Sequence, residues 1–104
     1  MSGWHRGTTP TNTFNVNVDL REATIYVSYA QRGRVVVEKT GHDLFVTENA
    51  IDTTLTQEET LRFRPGEVRI QIRYVLSDGT ADASNIIETT SEEILKDGVI
   101  TYGV

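Results

Sequence analysis

The sequence predicts a small all-β sandwich, and three observations carry that expectation. Thr, Val and Ile supply 34 of the 104 residues, and these β-branched types favour strands over helices. Apolar and polar residues alternate in several short segments, the period-2 mark of a half-buried strand. Turn-forming residues separate those segments at intervals of roughly 8–12 residues, a spacing that suits a sandwich or barrel.

Residues 1–11 lack a strand pattern and are expected to form an N-terminal arm. Phe14, Val16, Val18 and Leu20 then alternate with Asn15, Asn17 and Asp19. Ile25, Val27 and Tyr29 repeat the pattern. Arg32-Gly33 separates residues 24–31 from 34–39, a gap short enough for a β-hairpin. Glu48-Asn49 divides the 43–47 run from the 51–55 run. Thr56-Gln57-Glu58-Glu59 fits a capping box that opens a short helical turn.

The clearest strand follows: Val68, Ile70, Ile72, Tyr74 and Leu76 interleave with Arg69, Gln71, Arg73, Val75 and Ser77. Asp78-Gly79 is the strongest hairpin signal in the chain and is expected to form a type I′ turn, folding 67–77 onto 81–90. Thr90-Ser91-Glu92-Glu93 repeats the capping box before Ile94-Leu95, with Lys96 near the end and Gly98 as a stop. Neither helix is expected to exceed about two turns, so each must dock on the sheets.

The sum is one domain over residues 1–104, an immunoglobulin-like β-sandwich of about seven short antiparallel strands with two short helical turns. Residues 91–104 form the second helix and a tail. The helical crossover, the long strand, the Asp78-Gly79 turn and the last strand resemble the E–F–G end of that fold. The tight Arg32-Gly33 turn does not match its B–C connection, which crosses between sheets.

Charge and composition exclude several classes of function. Fifteen acids against ten bases give a net charge of −5, which argues against nucleic-acid binding through phosphate neutralisation. The bases do cluster, as Arg32 with Arg34, and as Arg62, Arg64, Arg69 and Arg73. These clusters read either as a local basic patch or, more simply, as solvated strand faces and edges. The chain has no cysteine, hence no disulfide, thiolate metal site or thiol nucleophile. No apolar run approaches the roughly 18 residues of a membrane span. Met1 to Pro10 lack the apolar core of a secretory signal, so synthesis in the cytoplasm is expected.

The chemistry of an active site is missing as well. Only His5 and His42 offer an imidazole, one in the arm and one in the Thr40-Gly41-His42-Asp43 turn. No histidine pair has ligand spacing, and Asp78, Asp82 and Asp97 form no calcium-loop pattern. Glu58–Glu59 and Glu92–Glu93 are adjacent pairs whose side chains diverge by about 100° on a helix, as helix-start acids do. No glycine-rich phosphate loop appears. A non-enzymatic protein with no cofactor and no metal is expected.

What remains is surface. Trp4, Tyr26, Tyr102 and Phe45 are the aromatics least tied to the alternating pattern. Trp4, Tyr26 and Tyr102 are therefore the candidate contact residues, for a protein partner, for self-association or for a carbohydrate. The alternative is that Trp4 caps an end of the sandwich and Tyr26 packs on a neighbouring strand. The arm and the apolar tail, residues 99–104, can each add a strand to a partner's sheet or close their own.

Several strings resemble a known family. They are residues 6–11 leading to Phe14, Leu55 to Phe63, Val68 to Arg73, Ala83 to Ile87 and Ile94 to Ile100. Together they are similar to small proteins encoded in phages and prophages of Gram-positive bacteria, among the genes for particle structure. The resemblance runs from about Arg6 to Ile100 and is weakest over residues 32–54. It implies a virion or assembly role, in head, tail or baseplate. Its motifs carry packing, turns and caps, so it implies no functional residues.

Overall fold

The computed structural model describes residues 1–103. Nine strands form two sheets that face each other. The larger sheet has the order β1 (Trp4–His5), β9 (Ile87–Glu92), β7 (Gly66–Val75), β3 (Thr24–Gln31) and β4 (Arg34–Thr40), with β8 (Ala81–Ala83) also paired to β7. The smaller sheet is β2 (Thr11–Asn15), β6 (Ala50–Thr54) and β5 (Leu44–Val46). The chain is an all-β, immunoglobulin-like sandwich. Among the described residues no helix is long and apolar enough to cross a membrane.

The sheet order accounts for the turn that did not fit. Arg32-Gly33 joins β3 to β4, neighbours within the larger sheet, as in sandwiches that add a strand beside the central hairpin. The connection between sheets comes earlier, where residues 16–23 leave β2 and enter β3. Val16 and Val18 line this crossover and Leu20 is buried. The alternation after Asn15 thus continues without a strand.

The turn chemistry differs from expectation. Positive φ at both central residues occurs at Arg32 (52°) and Gly33 (79°), the requirement of a type I′ turn. At Asp78-Gly79 only Gly79 is positive, at 89°. There the Gly79 amide donates to Leu76 O at 2.9 Å and the Leu76 amide to Thr80 O at 2.8 Å. That is a three-residue loop closed by a glycine bulge, held by an Asx contact from the Thr80 amide to Asp78 Oδ1 at 2.8 Å.

The expected continuous strand over 81–90 breaks at Ser84. The register shifts from Arg73↔Ala83 to Ile70↔Ile87, one extra residue against β7, which makes a β-bulge. Ser84 fills the break, accepting the Ile72 amide on Oγ at 3.0 Å and donating its own amide to Ile72 O at 2.8 Å.

Two further expectations are corrected. The second helical turn does not form, because residues 87–92 are strand β9. Thr89 and Ser91 point inward on that strand, 5% and 1% exposed, a period of two that tertiary pairing imposes over a local capping signal. The arm is not free either: β1 pairs parallel with β9, Trp4↔Ser91 and His5↔Glu92. Gly3 permits the approach, since a Cβ there would meet Thr90 O at 2.2 Å.

The first helical turn forms as its sequence implies. α1 (Gln57–Leu61) is capped by Thr56, whose hydroxyl accepts the Glu59 amide at 3.1 Å while Glu59 Oε1 accepts the Thr56 amide at 2.9 Å. Arg6 closes its other end, donating from Nε to Phe63 O at 2.7 Å and from a terminal nitrogen to Leu61 O at 3.0 Å. The sandwich centre is an aromatic trio. Trp4, Tyr29 and Phe63 meet edge to face with centroids 5.5–6.4 Å apart, the arrangement their ring quadrupoles favour.

Candidate functional site

The outward face of the larger sheet is the broadest surface that the topology leaves uncovered. Pairing places Tyr26 beside Arg73 and Thr40, Ser28 beside Gln71 and Glu38, and Ala30 beside Arg69 and Val35. Tyr26, Val35 and Val75 are 44%, 58% and 44% exposed. The face is therefore apolar in islands, with charges of both signs between them. A shallow depression of about 310 Å³ beside Tyr26 is bordered by Glu38, Arg73 and Tyr74.

The three candidate contact residues do not come together. Trp4 is a core residue, 4% exposed and flanked by Tyr29 and Phe63, so it is no surface anchor. A short N-terminal strand carries it there, which the lack of a strand pattern in residues 1–11 concealed. Tyr26 is exposed on the face just described. Tyr102 is 92% exposed in the tail, which the Gln57 amide ties to Ile100 by two hydrogen bonds of 3.1 and 2.9 Å. Val104 lies outside the described residues. Phe45 is 66% exposed on β5 of the smaller sheet.

Val35 and Val75 escaped the sequence reading for separate reasons. Val75 occupies the polar phase of the β7 alternation, so an apolar residue there was a legible signal. Val35 belongs to a run of three valines, and the register shift opposite Tyr29 and Ala30 decides which of them faces out.

Two other concavities bear on function. A groove of about 730 Å³ runs between the free edge of β2 and the β7–β9 side, lined by Phe14, Val16, Ile72 and Tyr74 among others. It is mostly apolar and brings no acid–base pair together. A cleft of about 470 Å³ lies between the β3–β4 turn and the α1–β7 connection, lined by Arg32, Arg34, Arg62 and Arg64.

Ionisable groups with altered titration serve structural contacts. Burial raises the Tyr29 phenol to about 12, against a lowering hydrogen bond from Thr53. Burial would also raise Glu59, but the hydrogen bond from Lys39 at 2.6 Å and the Thr56 amide hold its carboxyl below the usual value. Asp19 is lowered by the Arg21 guanidinium and amide, and Asp78 by the Thr80 amide. His5 and His42 are both exposed. Among the described residues no three His, Cys, Asp or Glu side chains converge on a metal-sized site.

No protein-family model matches the chain, and no curated protein matches it. Among solved structures the chain is similar to the V domain of amphioxus IgVJ-C2, at 13% identity and a TM-score of 0.35, over 88% of this chain and 99% of that one. That likeness concerns the fold alone. The sheet order and register carry the assignment as an immunoglobulin-like sandwich.

Proposed function

We propose that this chain is a non-enzymatic structural or assembly component of a bacteriophage or prophage particle, and that it works by protein–protein contact. The observation that carries the contact reading is the uncovered face of the larger sheet, with Tyr26, Val35 and Val75 set among Glu38, Arg69 and Arg73. Aromatic and arginine side chains are the types enriched where interfaces concentrate their energy. The particle setting rests on the resemblance of several residue strings to small phage and prophage proteins. Mass spectrometry of particles purified from a host carrying the gene tests it. The protein should be present in a fixed ratio to other particle proteins, and its absence would refute the particle role.

A second reading has one observation in its favour. The depression beside Tyr26 offers a half-exposed ring next to polar and charged groups, an arrangement that can stack and hydrogen-bond a sugar. Binding on a glycan array that Tyr26→Ala abolishes would support this carbohydrate module. No signal above background would dismiss it.

A further inference from the structure

The arginine cleft stands out against the acidic composition of the chain. Arg32 and Arg34 flank the β3–β4 turn, and Arg62 and Arg64 lie in the connection from α1 to β7. All four are exposed and border one cleft. None makes an ion pair among the described residues, whereas Arg6, Arg21 and Lys39 each do. Glu58, one helical turn before Arg62, does not reach it.

The cleft is also held rigidly. Gln31, 8% exposed at the end of β3, donates from Nε2 to Arg64 O at 2.6 Å and accepts the Arg64 amide on Oε1 at 2.8 Å. This amide pair fixes the two arginine-bearing segments relative to each other. Four like charges on a fixed frame repel, and a guanidinium fork matches a carboxylate in two parallel hydrogen bonds. The site is organised for an anionic partner.

The opposite end of the sandwich offers such a partner. β3 runs eight residues from one end to the other, about 25 Å at strand rise. At its far end lie the crossover with Asp19 and Glu22, the β5–β6 turn with Glu48 and the β7–β8 turn with Asp78. The arginine among them is Arg21, already held by Asp19 at 2.6 Å. The Val16 amide donates to Asn49 O at 2.9 Å, which sets the β5–β6 turn with Glu48 beside the crossover with Asp19 and Glu22. Carboxylates occur at the cleft end too, including Glu58, Glu67 and Glu92, but the four cleft arginines are unpaired there among the described residues. At the far end Asp19, Glu22, Glu48 and Asp78 outnumber the single arginine.

We propose that the arginine cleft receives the carboxylate-bearing loop end of a second copy, so that copies of this chain associate head to tail. Such a contact joins unlike surfaces, and repeats of it close into a ring or extend as a filament. The proposal rests on the assembly reading above, but the two fail separately. A particle protein that stays monomeric would refute only the head-to-tail contact.

Sedimentation velocity on the full chain tests it at low salt and at about 0.5 M salt, where surface charges are screened within a few ångströms. The wild type should grow in mass with concentration at low salt and dissociate at high salt. Arg62→Glu with Arg64→Glu should weaken association by about tenfold or more, as should Glu22→Arg with Glu48→Arg. Mixing these two reversed variants should restore association, because each then carries the complement of the other. That rescue separates a lost contact from a misfolded variant. A wild type that is monomeric at every concentration overturns the proposal. So does association that both reversals leave unchanged, or a monomer whose cleft instead binds a short DNA duplex.

Discussion

The Tyr29 hydroxyl on β3 donates to Asn12 Oδ1 on β2 at 2.8 Å, joining the two sheets through the middle of the core. Its one proton is thereby used, so Thr53 on β6 serves as donor to the same oxygen. Asn12 and Thr53 are 7% and 0% exposed. Tyr29→Phe leaves both without this partner and should cost about 1–3 kcal/mol, the penalty for stranding buried polar groups. Urea denaturation of the two proteins checks this.

The same phenol sets an alkaline limit on stability. Its folded-state pKa lies near 12, above the ordinary value of 10.0, because burial disfavours the phenolate. The stabilisation is therefore complete below about pH 10 and is lost as pH rises toward 12, where the unfolded chain ionises first. A shift of this size corresponds to roughly 2–3 kcal/mol. The stability difference between wild type and Tyr29→Phe should shrink by that order across the window, read from denaturant midpoints at each pH.

Lys39 points into the sandwich, 7% exposed, and its ammonium meets Glu59 Oε1 at 2.6 Å. Glu59 also accepts the Thr56 amide, so the pair anchors α1 to β4. Lys39→Met strands a half-buried carboxylate and should cost about 3 kcal/mol, near the low end for breaking buried pairs. The folded-state pKa of Glu59 is depressed, so its contribution is present above the ordinary value of 4.5 and is lost as pH falls below it. Glu59→Gln should flatten that acid limb in thermal melts run between neutral and acidic pH.

Ser91 makes the opposite case. It is 1% exposed, and its hydroxyl has no hydrogen-bond partner. Ser91→Ala removes an unpaired buried polar group and should leave stability unchanged or raise it by up to about 1 kcal/mol. A rise in melting temperature, or none, agrees with this, and a loss does not.

Gly3 tests how β1 is held. A methyl group there collides with Thr90 O, so Gly3→Ala should push β1 from β9 and cost about 1–3 kcal/mol, as overpacking does. Trp4 is the single tryptophan, and it is buried. Its fluorescence should shift to the red in the variant while the rest of the sandwich stays folded.

The parts of the fold that local patterns dictate were legible in the sequence. Alternation located β3 and β7, and the Thr56–Glu59 capping box located α1. The errors share one cause. At residues 90–93 a capping signal competed with strand pairing, and the pairing of β9 with β7 and β1 won. The type I′ geometry expected at Asp78-Gly79 appears at Arg32-Gly33 instead, because loop length follows sheet register, which pairwise contacts across the fold determine. The sequence left Trp4 either a contact residue or a cap on the sandwich, and the structure buries it, a placement that a two-residue strand with no period cannot signal. The arginine cleft was visible only as two clusters distant in sequence. Gln31, the residue that joins them, gives no sign in the sequence of doing so.

The central claim is that the outward face of the larger sheet makes contact in an assembled particle, and photo-crosslinking from that face tests it most directly. A benzophenone side chain in place of Tyr26 should yield an adduct with a particle protein or a second copy. The same probe in place of Phe45, exposed on the other sheet, should yield little. Equal labelling from both positions, or none from Tyr26 in particles that contain the protein, would contradict the claim.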